Sequence, residues 1–284
     1  MKTRLGGFGA VLFASILIGG CGGDDGDSGT LTISVADAKP SLPVAVTSVY
    51  VTFDEVSVHK AGGGWESLLF AASEIDLYRF SGGDSTHLVP PVELDAGKYT
   101  QIRLVLAETG EEPGNYKNYI VTTEEEEIPL TVPSGFLRTD KNFDFEVEGG
   151  GAVDLTVHFD LSQSIVAQGG GEYHLKPVLH LQETQAAAKI QGSIAAASFG
   201  ESMEAEVTVE FEGVEYTRVV VQKPESTDPV PFTIFWLVPN QSYHVEVAVE
   251  GFVPYEEDVG VEDLGPGETF NLNGDEPITL SPLP

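Results

Sequence analysis

Apolar residues recur at every second position through most ordered segments of this chain. Leu31, Ile33 and Val35 alternate with Thr32 and Ser34. Phe143, Phe145 and Val147 alternate with Asp144 and Glu146, and Val153, Leu155, Val157 and Phe159 with Asp154, Thr156, His158 and Asp160. Successive side chains of a strand point to opposite faces, so this pattern lays one face on a core and leaves the other in water. Val49, Val51 and Phe53 keep the same rhythm until Asp54-Glu55, after which Val56 and Val58 resume one residue out of phase, the signature of a β-bulge. Glycine clusters at 61–64, 81–84, 148–151 and 168–171 punctuate the runs as turns. No comparable stretch has the three-and-four spacing of a helix. The expected fold is all-β: two antiparallel β-sandwich domains in series.

The alternation lapses near Glu183-Thr184-Gln185-Ala186-Ala187-Ala188-Lys189 and then restarts with Ala205, Val207, Val209 and Phe211 against Glu204, Glu206 and Glu210. A turn is expected at Glu212-Gly213, and Tyr243, Val245, Val247 and Val249 alternate again with His244, Glu246 and Glu250. The division is therefore residues 29–184 and 189–284. Pro229, Pro231, Pro254, Pro266 and Pro277 belong at strand ends, edges or loops.

Ahead of the first strand, Lys2 and Arg4 precede an apolar stretch from Leu5 to Ile18, too short to span a bilayer. Ile18-Gly19-Gly20-Cys21 follows, containing the only cysteine. This resembles the lipobox of bacterial lipoproteins, which implies a signal peptide over residues 1–20 and lipidation of Cys21. A lone exposed thiol in an exported protein would otherwise be reactive. Residues 21–28 form a lipidated, glycine- and aspartate-rich tether. Gly22, rather than an aspartate, follows the cysteine, which for a lipoprotein of a diderm bacterium implies the outer membrane. The expected location is the bacterial cell envelope, with the membrane engaged through lipid at Cys21.

The formal charge of −31 repels nucleic acid and anionic lipid, so neither is an expected partner. With 41% hydrophobic residues and clear periodicity, the chain has the material for folded cores without disulfides.

Several stretches of the first half resemble a bacterial family known only as domain of unknown function 4382. They are GTLTISVAD from Gly29 to Asp37, Val58-His59-Lys60 leading to Gly64-Trp65, LDAGKYTQIR from Leu94 to Arg103, VPSGF from Val132 to Phe136, Phe159-Asp160 with Ser164-Ile165-Val166, and YHLKPVL from Tyr173 to Leu179. The resemblance implies an envelope context and no established activity. In the second half, Gly192-Ser193-Ile194, Ala205–Val209, Phe232-Thr233-Ile234, Leu237–Tyr243 and Gly251-Phe252 are similar to carboxypeptidase regulatory-like, transthyretin-like sandwiches. Those are non-catalytic binding or spacer modules despite their name. The usual glycine of their turn is replaced here, and Asn240 is the residue best able to take a positive φ.

Candidate chemistry is sparse. Glu124–Glu127 and Glu111-Glu112 do not offer calcium the staggered oxygens of a tight loop, and read as a solvated loop or edge. Asp24, Asp25 and Asp27 lack a closing carboxylate. Of six histidines, His174 and His180 fall on one expected strand too far apart to share an ion, with His158 opposite one of them; the set reads as surface histidine, without a metal. Ser134 sits in a Pro-Ser-Gly turn, and no nucleophile elbow, phosphate loop or zinc-protease helix is present. Trp236 lies in a run apolar on both faces and reads as core. Trp65, after the glycine turn, is open to either core or ligand contact. The sequence thus describes a protein that is not an enzyme and needs no cofactor: a binding, adhesion or scaffold module for an unknown protein or glycan ligand. The alternative is a carbohydrate-binding accessory lipoprotein using Trp65.

Overall fold

The computed structural model describes residues 28–37, 42–68, 71–80, 82–133, 135–138 and 144–284. Cys21, its signal and the tether aspartates lie outside the described residues, as do Ser134 and Phe143. The N-terminal unit runs β1 (Ser28–Ala36), β2 (Val46–Lys60), β3 (Trp65–Ser67), β4 (Ser73–Asp76), β5 (Ser85–Asp95), β6 (Gly97–Leu106), β7 (Asn118–Thr122), β8 (Glu127–Thr131), β9 (Phe136–Arg138), β10 (Phe145–Val147), β11 (Ala152–Asp160), one helical turn α1 (Leu161–Ser164), β12 (Ile165–Gly169), β13 (Glu172–Leu175) and β14 (Val178–Glu183). The C-terminal unit runs β15 (Ala188–Ile194), β16 (Glu204–Phe211), β17 (Val214–Gln222), β18 (Val230–Leu237), β19 (Tyr243–Ala248), β20 (Tyr255–Val259) and β21 (Thr269–Asn271). No helix among the described residues is long and apolar enough to cross a membrane.

The fold is all-β. In the N-terminal unit a four-stranded sheet, ordered β14-β11-β1-β5, covers a larger sheet built around β2, β6 and β7. Leu31, Ile33 and Val35 of β1 and Leu155, Val157 and Phe159 of β11 face Val49, Val51, Phe53, Ile102 and Leu104 across one core. The phase slip at Asp54 is a bulge: Phe53 pairs with Leu106 and Glu55 with Val105, leaving Asp54 unopposed. The C-terminal unit packs β18-β15-β21 on β17-β16-β19-β20 around its own core. Its hairpin turn at Glu212-Gly213 has positive φ at both residues, the two-residue turn that matches strand twist. Asn240 takes φ 57, as its short polar side chain permits. Most pairings are antiparallel, but β1 with β11, β8 with β13, and β15 with β21 are parallel, which alternation alone does not distinguish.

Two expectations are corrected. His174 and His180 do not share a strand. They lie on β13 and β14, and Pro177, which cannot donate to a ladder, stands between them. The polar face of β11 is not wet either: Thr156, His158 and Asp160 are as buried as the apolar residues between them. Residues of the C-terminal unit cover that face, and the candidate site lies beside it.

Candidate functional site: the cleft between the two cores

Ala36 lies beside His158 in the β1–β11 register, on the face of the four-stranded sheet that points away from its own core. Ala36 packs against Ala187 and Trp236, a small apolar cluster joining the two units. Trp236 is therefore buried, as its sequence context implies, at 8% exposure, and its φ of 63 sits where β18 slips register against β15. Phe235 reaches back to the loop before β5. A Cβ added at Gly83, which has φ 97, would stand 2.5 Å from the Phe235 ring. Gly83→Ala is expected to lower the melting temperature by several degrees, through both that clash and backbone strain. Gly82, also at positive φ but with nothing near its Cβ, supplies the control: Gly82→Ala carries the strain alone and should shift the melt less.

Polar contacts tie the same junction. Asp160 caps α1, with Oδ1 accepting from Gln163 N at 3.0 Å and Oδ2 from Gln163 Nε2 at 3.0 Å. Gln163 Nε2 also donates to the Tyr216 carbonyl at 3.0 Å, and His180 Nε2 donates to that carbonyl at 3.2 Å. An aromatic series then crosses from one unit to the other. His158 and His180, cross-strand partners as expected, have ring centroids 5.8 Å apart. His180 stacks on Tyr216 at 3.9 Å, Tyr216 meets Tyr243 edge-on at 5.5 Å, and Tyr243 leans on Phe211 at 5.9 Å. Tyr243 Oη donates to the Val238 carbonyl at 3.0 Å.

The electrostatics follow from burial. Desolvation, helped by His180, pushes the His158 imidazole down to about 3, so it stays neutral. Burial raises the Asp160 carboxyl above the usual range, partly offset by its bonds from Gln163. Burial likewise lifts Tyr216 well above the phenol range, helped by Tyr243 and Asp160.

Beside this junction opens a cleft of about 680 Å³. Residues 179–183 of β14 form one wall. Phe211 and Glu212 of the β16–β17 turn and Val238, Pro239 and Gln241 of the β18–β19 turn form the other, with Tyr216 and Tyr243 between. Its volume falls within the range of small-ligand sites, roughly 300–1,000 Å³. Gln182 lines it at 2% exposure, and neither its Nε2 nor its Oε1 has a partner in the protein. A buried carboxamide left unpaired costs about 1–3 kcal/mol, so a ligand or water that met both of its groups at the cleft would recover that cost. Sequence reading missed Gln182 because nothing in the pattern of one strand reports what covers it.

The residues singled out from sequence sit elsewhere. Trp65 stands half-buried at the β2–β3 hairpin, paired with His59, whose ring it meets edge-on at 5.2 Å. Arg103 lies 4.6 Å over one face of the indole. Glu55 accepts from Ser67, Ser57 and Arg103, and these bonds, with the Ser67 and Ser57 hydroxyls leading, hold its carboxyl below the usual range. Glu124–Glu127 are exposed at the β7–β8 turn. His158, expected at the surface, is fully buried.

Fold and cleft define a protein of two β-sandwich cores with a binding-sized groove between them. The chain belongs to the family described as a domain of unknown function, DUF4382, whose family model matches residues 28–177. No curated protein matches the sequence. Among solved structures the chain is similar to the TIE protein of Bacillus anthracis, at 14% identity and a TM-score of 0.23, covering 89% of this chain and 34% of that one. It is also similar to a C-terminally truncated tip fimbrial protein of Porphyromonas gingivalis (12% identity, TM-score 0.22, covering 82% and 81%). A third is a proposed cell adhesion protein of Bacteroides fragilis (12% identity, TM-score 0.22, covering 91% and 98%). The chain thus spans about a third of the first of these proteins and most of the other two.

Proposed function

We propose that this protein is a lipid-anchored, non-catalytic binding module of the bacterial envelope, of adhesion or scaffold type. Residues 29–184 and 189–284 act as two domains, the second carboxypeptidase regulatory-like, and the cleft between them seats the ligand. The observation that carries this reading is the unpartnered Gln182 amide in an aromatic-walled cleft. The anchor rests on Cys21 and the tether behind it, with the outer membrane favoured by Gly22.

Two measurements test it. Cells fed a clickable fatty acid should label the wild type, and Cys21→Ser should lose the label and leave the membrane fraction; label retained on the variant contradicts the anchor. A thermal-melt screen of the detergent-solubilised chain against glycans, peptides and divalent cations should find a stabilising ligand. At about 100 times its dissociation constant a ligand adds roughly 2.7 kcal/mol, a shift of several degrees. Gln182→Leu should remove that shift; a shift that survives it places the site elsewhere. A second reading, a glycan site at Trp65, is favoured by the half-buried indole with Arg103 and Glu55 beside it. There, Trp65→Ala and not Gln182→Leu would abolish a sugar-induced shift.

A further inference from the structure

We infer that the free edge of β14 is a strand-addition site, and that the cleft takes an extended peptide of neutral-to-basic character. This rests on the reading of the cleft as the ligand site and names what enters it.

β14 ends its sheet, because the order is β14-β11-β1-β5 and no described strand lies beyond it. Its register fixes which backbone groups are unused. Thr184 N donates to the Asp154 carbonyl at 2.9 Å, so Gln182, His180 and Val178 are the residues turned toward Thr156, His158 and Asp160 of β11. The N–H and C=O groups of Leu179, Leu181 and Glu183 therefore point away from the sheet. The Glu183 carbonyl accepts from Ala186 N at 3.0 Å. What remains is a donor and an acceptor at Leu179, the same at Leu181, and a donor at Glu183, spaced for one more antiparallel strand. All five residues from Leu179 to Glu183 line the cleft, so that row of groups faces the groove.

Three other edge strands are blunted in familiar ways, although β17, also an edge, carries no such device. β5 carries Pro90 and Pro91, β18 carries Pro231, and β20 carries Glu256, Glu257 and Asp258 in a row. β14 has neither proline nor a like-charge run over its six residues. Its protection comes from the far wall, where Phe211, Pro239 and Gln241 limit what can approach. A single extended segment laid along β14 would gain affinity from main-chain pairing while Gln182 reads a side chain. Charge sets the sign of the partner. Glu183 and Glu212 are exposed on the two walls, no lysine or arginine lines the cleft, and the chain carries −31 overall. Acidic segments are repelled and basic ones drawn in.

The test uses the full detergent-solubilised chain and the capped heptapeptides KVTVTVK and EVTVTVE, with KVTVTVK carrying N-methyl groups on alternate residues, and a neutral oligosaccharide panel. KVTVTVK should bind and slow amide exchange at Leu179 and Leu181. The N-methylated peptide keeps charge and sequence but loses at least two main-chain bonds, so its affinity should fall about thirtyfold. Glu183→Lys with Glu212→Lys alters two exposed side chains and should reverse the preference between the two unmethylated peptides. Equal binding of the N-methylated peptide, or exchange unchanged at Leu179 and Leu181, overturns strand addition. Failure of every peptide overturns it too. If a sugar then binds in a Gln182-dependent manner, the cleft is still the ligand site; if no probe binds, that reading fails with it.

Discussion

Truncating Tyr216 to alanine is expected to lower stability by about 3–5 kcal/mol, the range for deleting a buried aromatic. The side chain is 7% exposed, stacks on His180 at 3.9 Å and meets Tyr243 edge-on, so it belongs to the core of one unit and the cover of the other. Its removal opens a cavity in the C-terminal core and uncovers the outer face of β11 and β14 together. Tyr216→Phe keeps the ring and loses only a buried hydroxyl that has no hydrogen-bond partner in the protein, so it should cost little or nothing. Chemical denaturation of the three proteins checks this. Equal, small losses for both variants would mean that the ring does not join the units.

Acidification is the second large effect, and its sign follows from His158. In the unfolded chain the imidazole titrates near its ordinary value of about 6.5, whereas burial holds it at about 3 in the fold. Between those values the unfolded chain binds a proton that the folded chain refuses, so stability falls as pH falls through that window. For one such group the loss between pH 7 and pH 5 is about 2 kcal/mol. Asp160 acts in the opposite direction. Its carboxyl is raised by burial, so the cost of its charge is relieved as pH drops through its folded value. Comparing wild type with His158→Gln cancels Asp160 and the surface acids alike. Denaturation free energies measured at several pH values should diverge by that amount between the two proteins, the wild type being the more acid-sensitive. Parallel curves would show that His158 is hydrated in the folded state.

How much of this was legible in the chain depends on whether the cause is local. Alternation is local, so the strands, the Asp54 bulge, the turn at Glu212-Gly213 and the positive φ of Asn240 could all be read from residue order. The parallel partnership of β1 with β11 was not, because a strand carries the same alternation whichever way its neighbour runs. The largest miss was the outer face of β11. Thr156, His158 and Asp160 look like a solvated face, and in an isolated sandwich they would be one. What buries them is a second unit whose contact residues, Trp236, Tyr216 and Ala187, lie 27 or more positions beyond Asp160 in the chain. Gln182 escaped notice for the same reason. Trp65 drew attention as a tryptophan after a glycine turn, yet Arg103 and His59 occupy much of its surroundings.

The central claim is that the C-terminal unit covers the polar face of β11, creating both the buried junction and the cleft beside it. Imidazole chemical shifts of the six histidines, followed by NMR from pH 8 to pH 4, test it most directly. The account predicts that one imidazole, assigned by its loss in His158→Gln, stays neutral across that range while the protein remains folded. An imidazole at 158 that protonates near pH 6.5 in the folded chain would contradict it, and would return the face of β11 to water.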